Sequence, residues 1–134
     1  MNKINLLFIV FFLLNFTMLA QQGWFEQNHL PTVITLYDVD FVNATNGWAV
    51  GVYGTIIRTT DGGKTWIRQI SGNNYWLNGV SFTDINNGTV VGEVGTILRT
   101  TDGGENWISQ TSGINDWFEG VYFYDSNNGW IVGY

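Results

Sequence analysis

Apolar and polar positions alternate along short stretches of this chain, and the stretches recur. Thr55-Ile56-Ile57-Arg58-Thr59-Thr60 leads into Asp61-Gly62-Gly63, and a run led by Trp66 leaves it. The same order returns at Thr96 to Thr101, Asp102-Gly103-Gly104 and Trp107, with Asp61 and Asp102 standing 41 residues apart. Alternating β-branched runs read as strands. Asp-Gly-Gly suits a turn, because the carboxylate accepts bonds from nearby backbone N–H groups and glycine takes positive φ without a steric penalty. Each copy therefore predicts a β-hairpin.

The pattern extends on both sides of the hairpins. In the first unit, strands are expected at Leu36–Phe41, Trp48–Gly51, Thr55–Thr60 and Thr65–Ile70. In the second they fall at Leu77–Phe82, Thr89–Val91, Thr96–Thr101 and Asn106–Thr111. A third unit starts with Phe118–Phe123 and Trp130–Val132. Gly47, Gly88 and Gly129 mark one turn at the same spacing. Trp24, Trp66 and Trp107 each precede a Gln by three residues, so residues 23–28 read as an isolated outgoing strand. Four short antiparallel strands in each period of about 40 residues predict β-propeller blades. The expected organisation is an outer strand at 23–28, a blade at 36–70, a blade at 77–111 and a partial blade at 118–134. A propeller closes with roughly 4–8 blades, so the sequence is expected to be a truncated reading of a longer protein.

The N-terminus changes the picture of where the protein works. Met-Asn-Lys precedes an apolar run from Ile4 to Leu19, and Ala20-Gln21-Gln22 follows. One positive charge, an apolar core of roughly 15 residues and a small residue before a polar stretch describe a secretory signal peptide over 1–20. The alternative is an uncleaved N-terminal anchor, but a membrane span needs about 20 apolar residues and this run is short, so a cleaved leader is expected, with no insertion after cleavage. The expected location is secreted, periplasmic or at the cell surface.

Composition narrows the chemistry. The net charge is −6, and losing Lys3 with the leader makes it one more negative. An acidic surface argues against nucleic acid as a partner. The chain has no cysteine, which excludes thiol catalysis and cysteine-based metal sites. Seven Trp, 17 Gly and one Pro suit short strands, tight turns and aromatic packing between sheets.

Two related resemblances rest on these units. Thr59-Thr60-Asp61-Gly62-Gly63-Lys64-Thr65-Trp66 resembles the Asp-box of bacterial neuraminidase-type repeats (Ser/Thr-x-Asp-x-Gly-x-Thr-Trp), and Thr100 to Trp107 matches with Asn106 in place of Thr. The longer pattern Gly47-Trp48-Ala49-Val50-Gly51, Gly54-Thr55-Ile56 and Arg58 to Gly63 is similar to the photosystem II stability and assembly factor family. The resemblance spans Trp24 to Tyr134. It implies a fragment of a seven-bladed propeller that binds protein rather than one tied to photosynthesis itself. It also places Asp-boxes on the face opposite a propeller's usual active site.

The repeat decides how the striking residues are read. Asp61 and Asp102 could pass for catalytic carboxylates, but a turn-organising role accounts for both. Thr59, Gly63, Thr65, Trp66, Thr100, Gly104 and Trp107 share that structural reading, the indoles covering the hairpin. Arg58 and Arg99 would need further arginines, a Tyr and acids to build a neuraminidase site; solvated or inter-blade roles are the simpler reading. His29 stands alone, and no metal or cofactor is expected. Asp38 and Asp40 share one face of a first strand. Their repeat counterparts are Gly79 and Ser81, so they break the pattern at a place where a site could hide.

The blade-to-blade connectors vary most. Tyr75, Trp76, Asp116 and Trp117 give one rim aromatic and acidic character suited to a protein partner or to carbohydrate. Packing between blades is the structural alternative for the two Trp residues. The expected function is a secreted, non-enzymatic propeller serving as a protein-interaction and assembly module. The rival expectation is a fragment of a neuraminidase-like glycoside hydrolase whose catalytic residues lie on other blades.

Overall fold

The computed structural model describes residues 34–134. The expected leader, the strand at 23–28 and His29 lie outside the described residues. Ten described strands form three antiparallel sheets. The first is β1 (Leu36–Phe41), β2 (Gly47–Gly51), β3 (Thr55–Thr59) and β4 (Ile67–Ile70), paired in chain order. The second repeats it with β5 (Leu77–Phe82), β6 (Gly88–Gly92), β7 (Ile97–Thr100) and β8 (Ile108–Gln110). The third pairs β9 (Phe118–Phe123) with β10 (Gly129–Gly133). These are propeller blades, and the all-β expectation holds. Successive first strands lie side by side, β1 against β5 and β5 against β9.

The outgoing strands are shorter than the residue pattern predicts, starting at Ile67 and Ile108 rather than Thr65 and Asn106. The reason is local. The backbone N–H groups of Thr65 and Asn106 are bound by the turn carboxylates, at 2.9 Å each, and so are withheld from the ladder.

The core lies between blades. Trp48, Val50 and Ile56 from the first sheet meet Leu77, Val80, Phe82, Val90 and Leu98 from the second. Alternation along each strand produces this layer, because residues two apart share a face. One approach is unusually close: the rings of Phe41, Phe82 and Phe123 lie across Gly47, Gly88 and Gly129 of the paired strand, where a Cβ would collide with the ring.

Two features point residues toward one end of the blades. Tight turns join β2 to β3 and β6 to β7, with Tyr53-Gly54 and Val94-Gly95 at positive φ. Each first strand also slips register at its start. Leu36 pairs with Gly51 but Asp38 with Val50; Leu77 pairs with Gly92 but Gly79 with Val91; Phe118 pairs with Gly133 but Gly120 with Val132. The extra residues are Tyr37, Asn78 and Glu119, and a bulge of this kind re-aims its side chain.

Candidate functional site

The bulges and the connectors build one rim. The connector after β4 is held by its backbone: Gly54 N–H donates to the Tyr75 carbonyl at 2.8 Å, and Glu93 N–H to the Trp76 carbonyl at 3.0 Å. One repeat later, Gly95 N–H donates to the Asp116 carbonyl at 2.7 Å and Tyr134 N–H to the Trp117 carbonyl at 3.1 Å. The carbonyls of Tyr75, Trp76, Asp116 and Trp117 are therefore structural. Their side chains remain on the surface, with Trp76 38 % and Trp117 46 % exposed.

A groove of about 360 Å³ runs between these indoles, lined by Tyr37, Trp76, Asn78, Trp117 and Glu119. The Tyr37 and Trp76 rings stand 5.9 Å apart and tilted by 45°. The Trp76 backbone is held from behind, its main-chain N–H donating to the Glu93 carboxylate at 3.1 Å. Asn78 donates to the Phe118 carbonyl at 2.9 Å, tying the second blade to the third. Inter-blade packing is thus only part of the Trp76 environment. Tyr37, Asn78 and Glu119 escape a sequence reading because a bulge is invisible in a period-two pattern. The available signal was three unlike residues at one repeat position.

The Asp-box residues occupy the opposite end. Gly62 N–H donates to the Thr45 carbonyl and Gly103 N–H to the Asn86 carbonyl, each at 2.9 Å, which places both hairpins beside the β1–β2 and β5–β6 turns. Thr59 donates its hydroxyl to Asp61 at 2.9 Å and accepts the Gly63 N–H at 2.8 Å. Thr65 donates its hydroxyl to the other Asp61 oxygen at 2.6 Å. In the second copy Thr100 donates to Asp102 at 2.7 Å and accepts from Gly104 at 2.8 Å. The Asn106 amide replaces the threonine hydroxyl, donating to Asp102 at 2.8 Å.

These donors favour the charged carboxylate. The side chain and then the backbone of Thr65 hold Asp61 down to about 2, and Asn106 does the same for Asp102. Asp84 and Asp125, at one repeat position in the neighbouring turns, are likewise lowered, first by the Asn87 side chain and first by the Asn127 backbone respectively. Four satisfied carboxylates organise turns. The indoles do something else: Trp66 and Trp107 stand edge-on to Phe41 and Phe82, at 6.0 and 5.9 Å, packing against the first strands of their blades.

The remaining candidates are absorbed by contacts within and between blades. The Arg58 guanidinium lies over the Trp48 ring, 5.2 Å from its centroid, and Arg99 over Phe123 at 5.6 Å. Arg99 also donates to the Ser126 carbonyl. Asp38 and Asp40, where the repeat pattern breaks, each bond the backbone of the next blade. Asp38 accepts the Val80 N–H at 2.9 Å and Asp40 the Phe82 N–H at 2.6 Å. Ser81 plays the Asp40 role one blade on, accepting the Phe123 N–H at 3.0 Å. Among the described residues no group of three or more metal-ligating side chains gathers.

Comparison with known proteins agrees with this geometry. Residues 17–109 match the family model described as photosynthesis system II assembly factor YCF48. The photosystem II assembly protein Ycf48 of Thermosynechococcus vestitus is 46 % identical over 41 residues, which is 31 % of this chain and 12 % of that protein. The chloroplastic photosystem II stability/assembly factor HCF136 of Cyanidioschyzon merolae is 44 % identical over 43 residues, 31 % of this chain and 10 % of that one. Among solved structures, YCF48 bound to D1 peptide superposes with a TM-score of 0.69 at 32 % identity, covering 78 % of this chain and 35 % of that one. YCF48 from Cyanidioschyzon merolae gives 0.69 at 31 % identity, covering 81 % and 37 %. The chain spans little more than a third of the solved relatives.

Proposed function

The chain belongs to the photosynthesis system II assembly factor YCF48 family, and from that premise we propose that it is a non-enzymatic propeller module that binds a polypeptide segment on its aromatic rim. One observation carries this reading. A groove of about 360 Å³ exposes Trp76 and Trp117 on a rim whose connector carbonyls are held by backbone hydrogen bonds. Rigid, half-exposed indoles supply contact area at little entropic expense, which is how protein interfaces are anchored. A structurally similar relative holding a D1 peptide supports a peptide as the ligand class. The acids and arginines that the sequence singled out for a glycosidase are engaged elsewhere: Asp38 and Asp40 clasp the next blade, and Arg58 and Arg99 lie on aromatic rings. The apolar leader supports a secreted or periplasmic location, and nothing in the reading requires photosynthesis.

The test is a binding screen of the full chain against immobilised random dodecapeptides and, in parallel, a glycan array. Peptide binding that Trp76→Ala and Trp117→Ala each abolish is the expected result. Glycan binding without peptide binding would transfer the rim to carbohydrate. Turnover of sialosides would overturn the non-enzymatic reading.

A further inference from the structure

Two grooves cross the rim of the second blade between the same two walls. The walls are the connectors from β4 to β5 and from β8 to β9. Trp76 and Trp117 line the inner groove, beside the first strands. Tyr75 and Ile114 line a second groove of about 320 Å³ that reaches Gln110 at the end of β8. The β6–β7 turn rises between the walls and is strapped to both: Glu93 N–H donates to the Trp76 carbonyl and Gly95 N–H to the Asp116 carbonyl. Val94 stands exposed at the tip of that turn and lines the outer groove. Both walls and the turn lie wholly within the described residues. The tip is built against its own backbone preference. Val94 holds φ 54, a conformation that is hardest on a β-branched residue. The first blade makes the same choice with Tyr53 at φ 57, again exposed. Asn or Gly would meet such a turn without strain. Neither Tyr53 nor Val94 joins the core cluster, so the fold gains no packing from the side chains it strains to present. Backbone strain of this kind is a mark of a contact surface.

We propose that the bound polypeptide lies extended across the second blade, from β5 to β8, and seats an apolar side chain on Val94 between Tyr75 and Ile114, outboard of the side chain held by Trp76 and Trp117. The proposal rests on the reading of the rim as a peptide site and deepens it, giving the segment a direction and a second station. One pair of connectors walls both grooves, so a chain seated in the inner groove is led into the outer one. An extended segment points every second side chain the same way, so the two apolar residues of the ligand share one face. The turn that carries Val94 cannot yield under them, because each wall holds one of its N–H groups.

The dodecapeptide screen of the full chain tests this when the recovered sequences are aligned. Two apolar or aromatic residues an even number of positions apart are expected in the best binders. Val94→Asn is expected to raise the denaturation midpoint and yet weaken the best peptide about five-fold, a split that a merely structural residue would not give. Ile114→Ala, at an exposed side chain, is expected to weaken it about three-fold. Replacing the outer apolar residue of the peptide with Ala is expected to abolish the effect of Val94→Asn and to preserve that of Trp76→Ala. Unchanged affinity in both Val94→Asn and Ile114→Ala would overturn the second station and leave the rim reading standing. An equal loss from Val94→Asn on the original and the Ala-substituted peptide would overturn it as well. Failure of the wild-type chain to bind any peptide, or binding indifferent to both Trp variants, would overturn the rim reading and this inference with it.

Discussion

Trp48 lies flat on Phe82, with ring centroids 3.6 Å apart and planes 8° from parallel. The two residues belong to different blades, so this stack joins the first sheet to the second. Trp48 Nε1–H also donates to the Gly103 carbonyl in the second Asp-box, at 3.0 Å. One fully buried indole thus links strand β2 to two elements of the next blade, the end of β5 and the Asp-box turn.

Trp48→Ala is expected to cost about 3–5 kcal/mol, the usual range for emptying an aromatic site in a core. Trp48→Phe keeps the stack. The Gly103 carbonyl would still accept from the Gln69 side chain, at 3.0 Å, so that variant is expected to cost less than about 1.5 kcal/mol. Urea denaturation midpoints rank the two.

The turn carboxylates give stability an acid limb. Asp61 and Asp102 fall from the ordinary 3.8 to about 2 on folding. A depressed value stabilises the fold above the unfolded value and is lost as pH falls from about 4 toward 2. Denaturation midpoints followed from pH 5 to pH 2 should drop across that window. Asp61→Ala and Asp102→Ala should each lower the Tm at neutral pH and flatten the acid limb. A variant with unchanged Tm but lost peptide binding would remove these residues from the structural role.

Val94 is a β-branched residue at φ 54, followed by Gly95 at φ 64. Thr96 N–H closes the turn onto the Glu93 carbonyl at 3.0 Å. Both central residues of such a turn need positive φ, where Asn and Gly are at ease and Val is not. Val94→Asn is expected to stabilise the chain by about 1 kcal/mol, read as a rise in the denaturation midpoint. A fall would mean that the exposed Val94 side chain makes contacts worth more than its backbone strain.

Asp40→Ala removes the acceptor for the Phe82 N–H and should cost about 1–2 kcal/mol. Asp40→Ser copies the residue found one blade later, where Ser81 serves Phe123, and should recover most of the loss. Equal damage from both substitutions would show that the charge, and not the hydrogen bond, holds the blades together.

The two faces of the propeller should separate in a binding assay. Trp76→Ala and Trp117→Ala are expected to weaken peptide binding more than Arg58→Ala does, because the Trp side chains line the rim groove. Arg58→Ala should instead lower the Tm, having lost its packing on Trp48. The reverse order would move the interface to the arginine side.

The sequence by itself determined the blades. Alternation, the Asp-Gly-Gly turns and the 41-residue period are local signals, and local geometry is enough to make a hairpin and repeat it. It also determined that Asp61 and Asp102 serve turns, since a residue recurring in both complete units belongs to the scaffold. Only the tertiary structure decided which Trp is buried. Trp48 and Trp76 are the same residue type in the same chain, yet one is sealed by Phe82 and the other left half-open beside Tyr37. The difference arises from which surface the neighbouring blade covers, a long-range fact absent from any single repeat. The same holds for Asp38 and Asp40, whose partners lie 42 residues away. It holds also for Glu119, which reaches the rim because the β9 ladder slips by one residue and turns its side chain toward the groove.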